Sequence, residues 1–373
     1  MGRIPDVVVI GAGVIGCSVA WELARRGASV HVVDDRPVGM GATQASAGVL
    51  APYIEADEKQ PAFLEISVRS LNLYDEFVAS ASADSRMDIP YRRVGTVQTA
   101  MNEDRLAGLQ WTAARLGERG VSARLLDAQA LHAEEPQLAD DVLGGLVIED
   151  HRFVQPFEMT RALAAAAAAR GVRFAEPAHV RRVMTTKSDA AVETTNGTLN
   201  TRVVVLAAGS WSGRIEVAGV RARPPVKLVR GQLLHLAWNG PILRRVTWGE
   251  RCYLVPWADG TLLVGATVEE AGFDERTTVA GVRDLLEAVC ELVPHAWTAG
   301  FLGARVGLRP GTSDDLPIVG WSKAAPNLMY ATGHYRNGIL LAPLTARIVA
   351  EAVIDGRSES AFDFIGPSRF QEL

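Results

Sequence analysis

The chain has 373 residues, a net charge of −5, and 22% charged against 48% hydrophobic residues, the balance of an ordinary globular protein, which excludes disorder as its dominant state. A strongly basic footprint is absent, which argues against nucleic acid as the main partner. Three cysteines, Cys17, Cys252 and Cys290, form no CxxC pair, so neither a disulfide framework nor a zinc ribbon is expected.

At roughly 150 residues per domain, the length predicts two domains or one composite unit. The N-terminus does not read as a signal peptide, and no run approaches the roughly 18 apolar residues that span a bilayer. The expectation is a cytoplasmic protein without a membrane partner. Only four of the 38 basic residues are lysines, the usage of a GC-rich bacterial genome.

The first forty residues carry the sharpest signal. Val7-Val8-Val9-Ile10 is a short β-branched run, as a strand covered on both faces requires. Gly11-Ala12-Gly13-Val14-Ile15-Gly16 follows at once. Residues 14–26 carry apolar side chains at helical spacing and stop at Gly27, a fitting C-cap. A second strand over 29–33 ends in Asp34, 18 positions after Gly16. In such a unit Gly11 permits the tight turn, Gly13 lets backbone approach a pyrophosphate, and Gly16 lets the helix pack on the strand. The helix N-terminus offers unpaired N–H groups to phosphate, and Asp34 can accept from a ribose diol. Dinucleotide binding follows. The β-α-β unit alone does not choose between NAD and FAD. The small-residue loop Gly39-Met40-Gly41-Ala42-Thr43-Gln44-Ala45-Ser46-Ala47-Gly48-Val49-Leu50 favours a flavin, because it lets main chain run close to a bulky ligand.

Further along, helical patterns occur at 104–119, 160–170 and 279–293, and strand-like segments at 95–100, 232–237, 252–256 and 261–267. Asp259-Gly260 reads as a hairpin turn between the last two strands. The alanine run 162–169 is helix propensity at its strongest. At the C-terminal end, 327–331 reads as a strand, 333–338 as a glycine-bounded turn and 339–354 as an amphipathic helix. That helix brings a second positive N-terminus towards the ligand. Arg309, flanked by glycines in Gly307-Leu308-Arg309-Pro310-Gly311, is the leading candidate for a carboxylate clamp, since arginine presents a planar fork that stays charged. Arg336 is the second. The histidines have no metal-like spacing, and Gly209-Ser210 is not a GxSxG elbow. Trp248 and Trp257 are candidates for the pocket lining.

These motifs resemble the FAD-dependent D-amino-acid oxidase superfamily. Thr201-Arg202-Val203-Val204-Val205-Leu206-Ala207-Ala208-Gly209-Ser210-Trp211-Ser212 is similar to its second strand-turn at the flavin. Gly307-Leu308-Arg309-Pro310-Gly311-Thr312, Gly333-His334-Tyr335-Arg336-Asn337-Gly338, Cys252-Tyr253-Leu254-Val255-Pro256 and Val264-Gly265-Ala266-Thr267 resemble the glycine oxidases of thiamine (thiazole) biosynthesis. The resemblance spans essentially the whole chain. It implies an α/β plus α+β fold, with a Rossmann-like FAD-binding domain and an inserted mixed-sheet substrate domain. Cofactor elements at the start, middle and end then make the first domain discontinuous, over 1–85, 146–219 and 306–373, with 86–145 and 220–305 inserted.

The resemblance implies non-covalent FAD held by Gly11, Gly13, Val14, Ile15, Gly16, Asp34 and Asp35 in the first unit. Ala42, Thr43, Ala47, Gly48 and Val49 follow in the small-residue loop, and Val180 and Gly209 in the middle of the chain. The set ends with His334, Tyr335, Arg336, Asn337, Gly338, Ile339 and Leu340. It implies that Arg309 binds the substrate carboxylate while Arg336 and Tyr253 complete the polar side of the pocket. No metal and no side-chain acid or base are expected, since hydride leaves Cα for flavin N5 once the amine is neutral. The activity implied is oxidation of glycine, sarcosine or small D-amino acids, with O2 giving hydrogen peroxide. The rivals are a quinone-linked D-amino-acid dehydrogenase and a flavin-binding protein without turnover. Association into a homo-oligomer is compatible with this reading. The glycine oxidase pattern tends to carry methionine after Gly-Ala-Thr; Val268 stands there, and its shorter side chain is expected to widen the pocket.

Overall fold

Val7–Ile10 is buried along its whole length, yet it still alternates. Val7 and Val9 join the core under the helices, while Val8 and Ile10 face a second, smaller sheet. In the computed structural model, which describes residues 4–55, 60–241, 243–370 and 373, this strand sits inside a six-stranded sheet. The order across that sheet is Ile318–Trp321, Leu328–Thr332, Val203–Leu206, Val7–Ile10, Val30–Val33 and Arg173–Ala175. All neighbours are parallel except the first pair. The register sets Val7 beside Val203 on one side and Val30 on the other. Parallel strands buried on both faces need apolar side chains at every position, which is why the run is continuous.

One face is covered by the helices Val14–Arg25, Pro61–Ser85, Pro156–Ala169 and Gly338–Ile354. The 25-residue Pro61–Ser85 helix lies beyond the sequence-based helices. Fully buried Ser67 and Ser70 interrupt its apolar stripe. They stand where the last helix approaches, and Ser70 Oγ donates to the Leu340 carbonyl at 2.6 Å. Tyr74 Oη donates to the Ile339 carbonyl, four residues before Pro343. Proline has no N–H for that carbonyl, so the tyrosine takes its place.

The opposite face is covered by a four-stranded sheet of Val180–Thr185, Ala190–Thr194, Gly197–Thr201 and Glu216–Val217. Val183, Val192 and Val217 from it pack on Val8, Val33 and Val204.

An eight-stranded sheet forms the other large element, in the order Gly300–Gly311, Lys227–Ala237, Thr261–Gly265, Tyr253–Pro256, Val246–Trp248, Thr96–Ala100, Gly144–Ile148 and Ala123–Asp127. Its two longest strands pair antiparallel from Lys227 beside Gly311 to Ala237 beside Gly300. The Asp259-Gly260 turn joins Tyr253–Pro256 to Thr261–Gly265 as expected, with Gly260 at φ 82°. The helix Val279–Leu292 is capped by the Thr278 hydroxyl and buries Leu285, Val289 and Leu292 against this sheet. The borders expected at 146 and 306 each fall inside a strand of this sheet, Gly144–Ile148 and Gly300–Gly311. Among the described residues, no helix is long and apolar enough to cross a membrane.

Candidate active site

A cavity of about 830 Å³ lies where the six-stranded and eight-stranded sheets meet. The strand ends of the first supply Gly11, Asp34, Ala207 and Thr332; the second supplies Trp248, Tyr253, Gly265 and Arg309.

At the Gly11 end, backbone crowds backbone. Gly11 has φ 113°, and a Cβ there would run into the Ala207 carbonyl. A Cβ on Gly16 would strike the Gly11 carbonyl, so Gly16 packs the helix against the turn and does not line the cavity. The helix Val14–Arg25 begins without a side-chain cap from Gly13. Thr43 Oγ1 takes the Val14 N–H at 3.1 Å and so ties the small-residue loop to the helix start. In that loop Gly48 has φ 74°, and a Cβ would meet the Val154 carbonyl. Asp34 accepts from the Ala12 N–H at 2.6 Å and the Arg36 N–H at 2.8 Å. Burial pushes its carboxyl above the ordinary range, against the pull of these hydrogen bonds. Asp35 pairs with His179 at 3.2 Å.

In the middle, Gly209 takes φ 49°, Ser210 Oγ donates to the Leu308 carbonyl at 2.7 Å, and Ser212 bonds Thr332 at 2.7 Å. These links hold both sheets to one turn. The last helix starts at Gly338 without a side-chain cap from Asn337. His334 is buried on Thr345 at 3.0 Å, and burial holds its imidazole down to about 3. It is neutral at working pH, in keeping with a backbone contribution.

At the far end, Arg309 Nη1 donates to the carbonyls of Thr267 at 3.0 Å and Arg230 at 3.3 Å. Its Nε and Nη2 make no hydrogen bond among the described residues, and the side chain lines the cavity. Gly231 leaves the space, because a Cβ there would overlap the guanidinium. Likewise the Tyr253 ring lies over Gly265, with Trp248 at 5.4 Å. Val268 lines this end and is 56% exposed. Arg336 is exposed at the cavity wall, with Cζ 5.2 Å from the Tyr335 ring centroid.

The cavity thus gathers Gly11, Gly13, Val14, Ile15, Asp34, Asp35, Ala42, Thr43, Ala47, Gly48, Val49, Val180, Gly209, His334, Tyr335, Arg336, Gly338 and Ile339, with Tyr253 and Arg309. Gly16, Asn337 and Leu340 stand outside its lining; Leu340 is buried under Ser70. Trp257 does not line the cavity as expected: it packs edge-on against Phe153 at 5.1 Å in the core, and of these two tryptophans Trp248 alone reaches the cavity. Arg36, which no sequence motif marks, lines the cavity beside Trp211 of the second strand-turn. Arg36 forms a two-pronged pair with Glu275 at 2.9 and 2.7 Å while its Cζ lies 4.2 Å from the Trp211 ring. Its position two residues past Asp34 was the available signal. No cluster of metal-ligating side chains occurs among the described residues.

Two helix starts without their own side-chain caps, glycines that leave main chain bare, and a carboxylate after the second strand suit a dinucleotide, with N–H groups for phosphate and an acceptor for ribose. The FAD dependent oxidoreductase (DAO) family profile matches residues 6–352. A glycine oxidase of Geobacillus kaustophilus is 33% identical over 96% of this chain and 94% of its own length. The crystal structure of glycine oxidase from that organism superimposes with a TM-score of 0.91, at 30% identity, covering 98% of each chain. A bifunctional ThiO/ThiG protein of a Nostoc species is 33% identical over 98% of this chain, which spans only 55% of that relative's length. The chain therefore belongs to the DAO family of FAD-dependent oxidoreductases, with FAD as its cofactor and glycine oxidases among its full-length relatives.

Proposed function

We propose that this chain oxidises glycine, sarcosine or a small D-amino acid to the imine, with O2 as the final acceptor and hydrogen peroxide as product. The observation that carries the reading is Arg309. Part of its guanidinium rests on two peptide carbonyls, and its Nε and Nη2 make no hydrogen bond among the described residues, in a cavity that also takes the cofactor. A planar cation held at one edge suits a carboxylate, which it meets with two parallel hydrogen bonds. Arg336 and Tyr253 complete the polar wall, and Val268 lines the same cavity. The FAD contacts are assigned to the sequence-identified residues that line the cavity, and we read the six-stranded unit as the cofactor half and the eight-stranded sheet as the substrate half. Three free, buried cysteines suit a cytoplasmic setting. Peroxide release in air, assayed with glycine, sarcosine and D-alanine, separates this reading from a quinone-linked dehydrogenase.

Bound FAD supplies the two-electron acceptor for the Cα hydride. The protein's task is to orient the amino acid and to exclude water. No side chain is assigned as acid or base. His334 and His151 are both held down to about 3 by burial, so neither titrates between pH 5 and 8. The substrate amine must lose its own proton, so turnover should rise with pH towards the amine pKa. Substrates of different amine pKa should shift the lower limb in step, and a limb fixed by the enzyme alone would contradict this.

Asp34→Ala should weaken FAD retention at least about tenfold, since a hydrogen bond to a charged group contributes roughly 1.5–3 kcal/mol. Fluorescence of released FAD against dilution measures it. Unchanged affinity removes Asp34 from the site.

A further inference from the structure

We infer that Glu269 is a positioning residue for the substrate carboxylate, because it fixes the two peptide carbonyls on which Arg309 rests. The inference builds on the reading of Arg309 as the carboxylate clamp. Glu269 does not line the cavity, so it acts through Arg309.

The Thr267 and Arg230 carbonyls lie on different stretches of chain, and no single regular strand sets their spacing. Glu269 sets it twice. Its N–H donates to the Arg230 carbonyl at 3.0 Å, and its carbonyl accepts from the Arg230 N–H at 2.8 Å, an isolated antiparallel bridge. Its carboxylate then ties both residues by their side chains. Oε1 accepts from Thr267 Oγ1 at 2.5 Å and Gln232 Nε2 at 2.7 Å. Oε2 accepts from Arg230 Nη2 at 2.5 Å and Nε at 3.1 Å. Gln232 braces the frame, with its N–H on Thr267 Oγ1 at 2.9 Å and its side-chain amide on Thr278 Oγ1 at 2.9 Å.

Charge explains why a carboxylate is tolerated so close to a site for carboxylates. The buried Arg230 guanidinium pairs with Glu269 at 2.5 Å and with Asp274 at 3.0 Å. Burial would raise the Glu269 carboxyl, but hydrogen bonds from Thr267, Gln232 and Arg230 hold it below the usual range, so it stays ionised. Arg230 matches the charge of Glu269, Arg276 matches that of Asp274 at 2.9 Å, and the charge of Arg309 remains for the ligand.

Glu269→Gln tests this in the FAD-loaded full chain, because it keeps the shape but turns one acceptor into a donor facing donors. The probes are glycine in steady-state kinetics and acetate, a carboxylate without an amine, in calorimetry. Arg309→Ala runs alongside. The expected result is a rise of about tenfold or more in KM for glycine and a matching fall in acetate affinity, as misplacement of a positioning group produces, with kcat and FAD content nearly unchanged. Wild-type behaviour of Glu269→Gln beside a damaged Arg309→Ala overturns the positioning role alone. Wild-type acetate and glycine binding in both variants overturns the clamp reading, and this inference with it. Parallel loss of kcat, acetate affinity and FAD content marks a mere scaffold residue and also overturns it. If Glu269→Gln does not fold, Thr267→Val keeps the peptide carbonyl and removes the hydroxyl link. It should weaken acetate about tenfold or more, the scale of one lost charge-assisted hydrogen bond. Unchanged acetate binding there refutes the inference.

Discussion

Arg309→Ala is expected to raise KM for amino acids strongly while FAD stays bound. Losing a buried two-pronged partner to a carboxylate costs about 2–5 kcal/mol, hence a fall in kcat/KM of roughly thirtyfold to several thousandfold. The structure sharpens the expectation for lysine. The guanidinium spans from the Thr267 and Arg230 carbonyls into the cavity. An ammonium is a point charge that cannot hold both carbonyls and a carboxylate in one plane. Arg309→Lys should therefore recover only part of the loss. Amines without a carboxylate should be far less affected, because they never use the clamp. Equal damage to glycine and to such amines would show that Arg309 is structural or acts on the flavin.

Gly11→Ala should abolish FAD binding and also destabilise the protein without cofactor. A φ of 113° strains any L side chain by about 1–3 kcal/mol. The added Cβ would meet the Ala207 carbonyl just past the end of the neighbouring strand, a backbone atom and not a flexible side chain. Gly13→Ala is the control. Its Cβ would meet only Thr43 Oγ1 at 3.5 Å, an ordinary contact. Gly13→Ala should therefore lose FAD affinity with little change in the unfolding midpoint of the apoprotein, and Gly11→Ala should lose both. Equal apoprotein stability of the two would refute the packing argument.

What could be read in the sequence was local. Val7–Ile10, the glycine turn and Val14–Arg25 are neighbours along the chain, so alternation, turn chemistry and helical spacing each leave a trace within a short window. The Pro61–Ser85 helix left a weaker trace, because Ser67 and Ser70 occupy core positions where the last helix comes close. The hairpin of Ala190–Thr194 and Gly197–Thr201 carries a turn signal, Asn196-Gly197, set among polar residues that give no clear alternation. At the site, glycines and Asp34 announced themselves by spacing. The support of Arg309 did not, since its two carbonyl partners lie 79 and 42 residues away. Arg36 meets Glu275 across 239 residues, a pairing that only the tertiary fold creates. Trp257 misled for the same reason. A tryptophan beside a pocket strand can face either side, and Phe153 claims this one.

The central claim is that one cavity holds FAD beside an arginine-clamped amino acid, and anaerobic titration with glycine, sarcosine and small D-amino acids tests it most directly. At least one of them should bleach the yellow flavin absorbance under exclusion of oxygen. Readmitted air should restore the colour and release one hydrogen peroxide per flavin. Flavin that keeps its oxidised spectrum across the whole panel, in a protein that retains FAD, would contradict it.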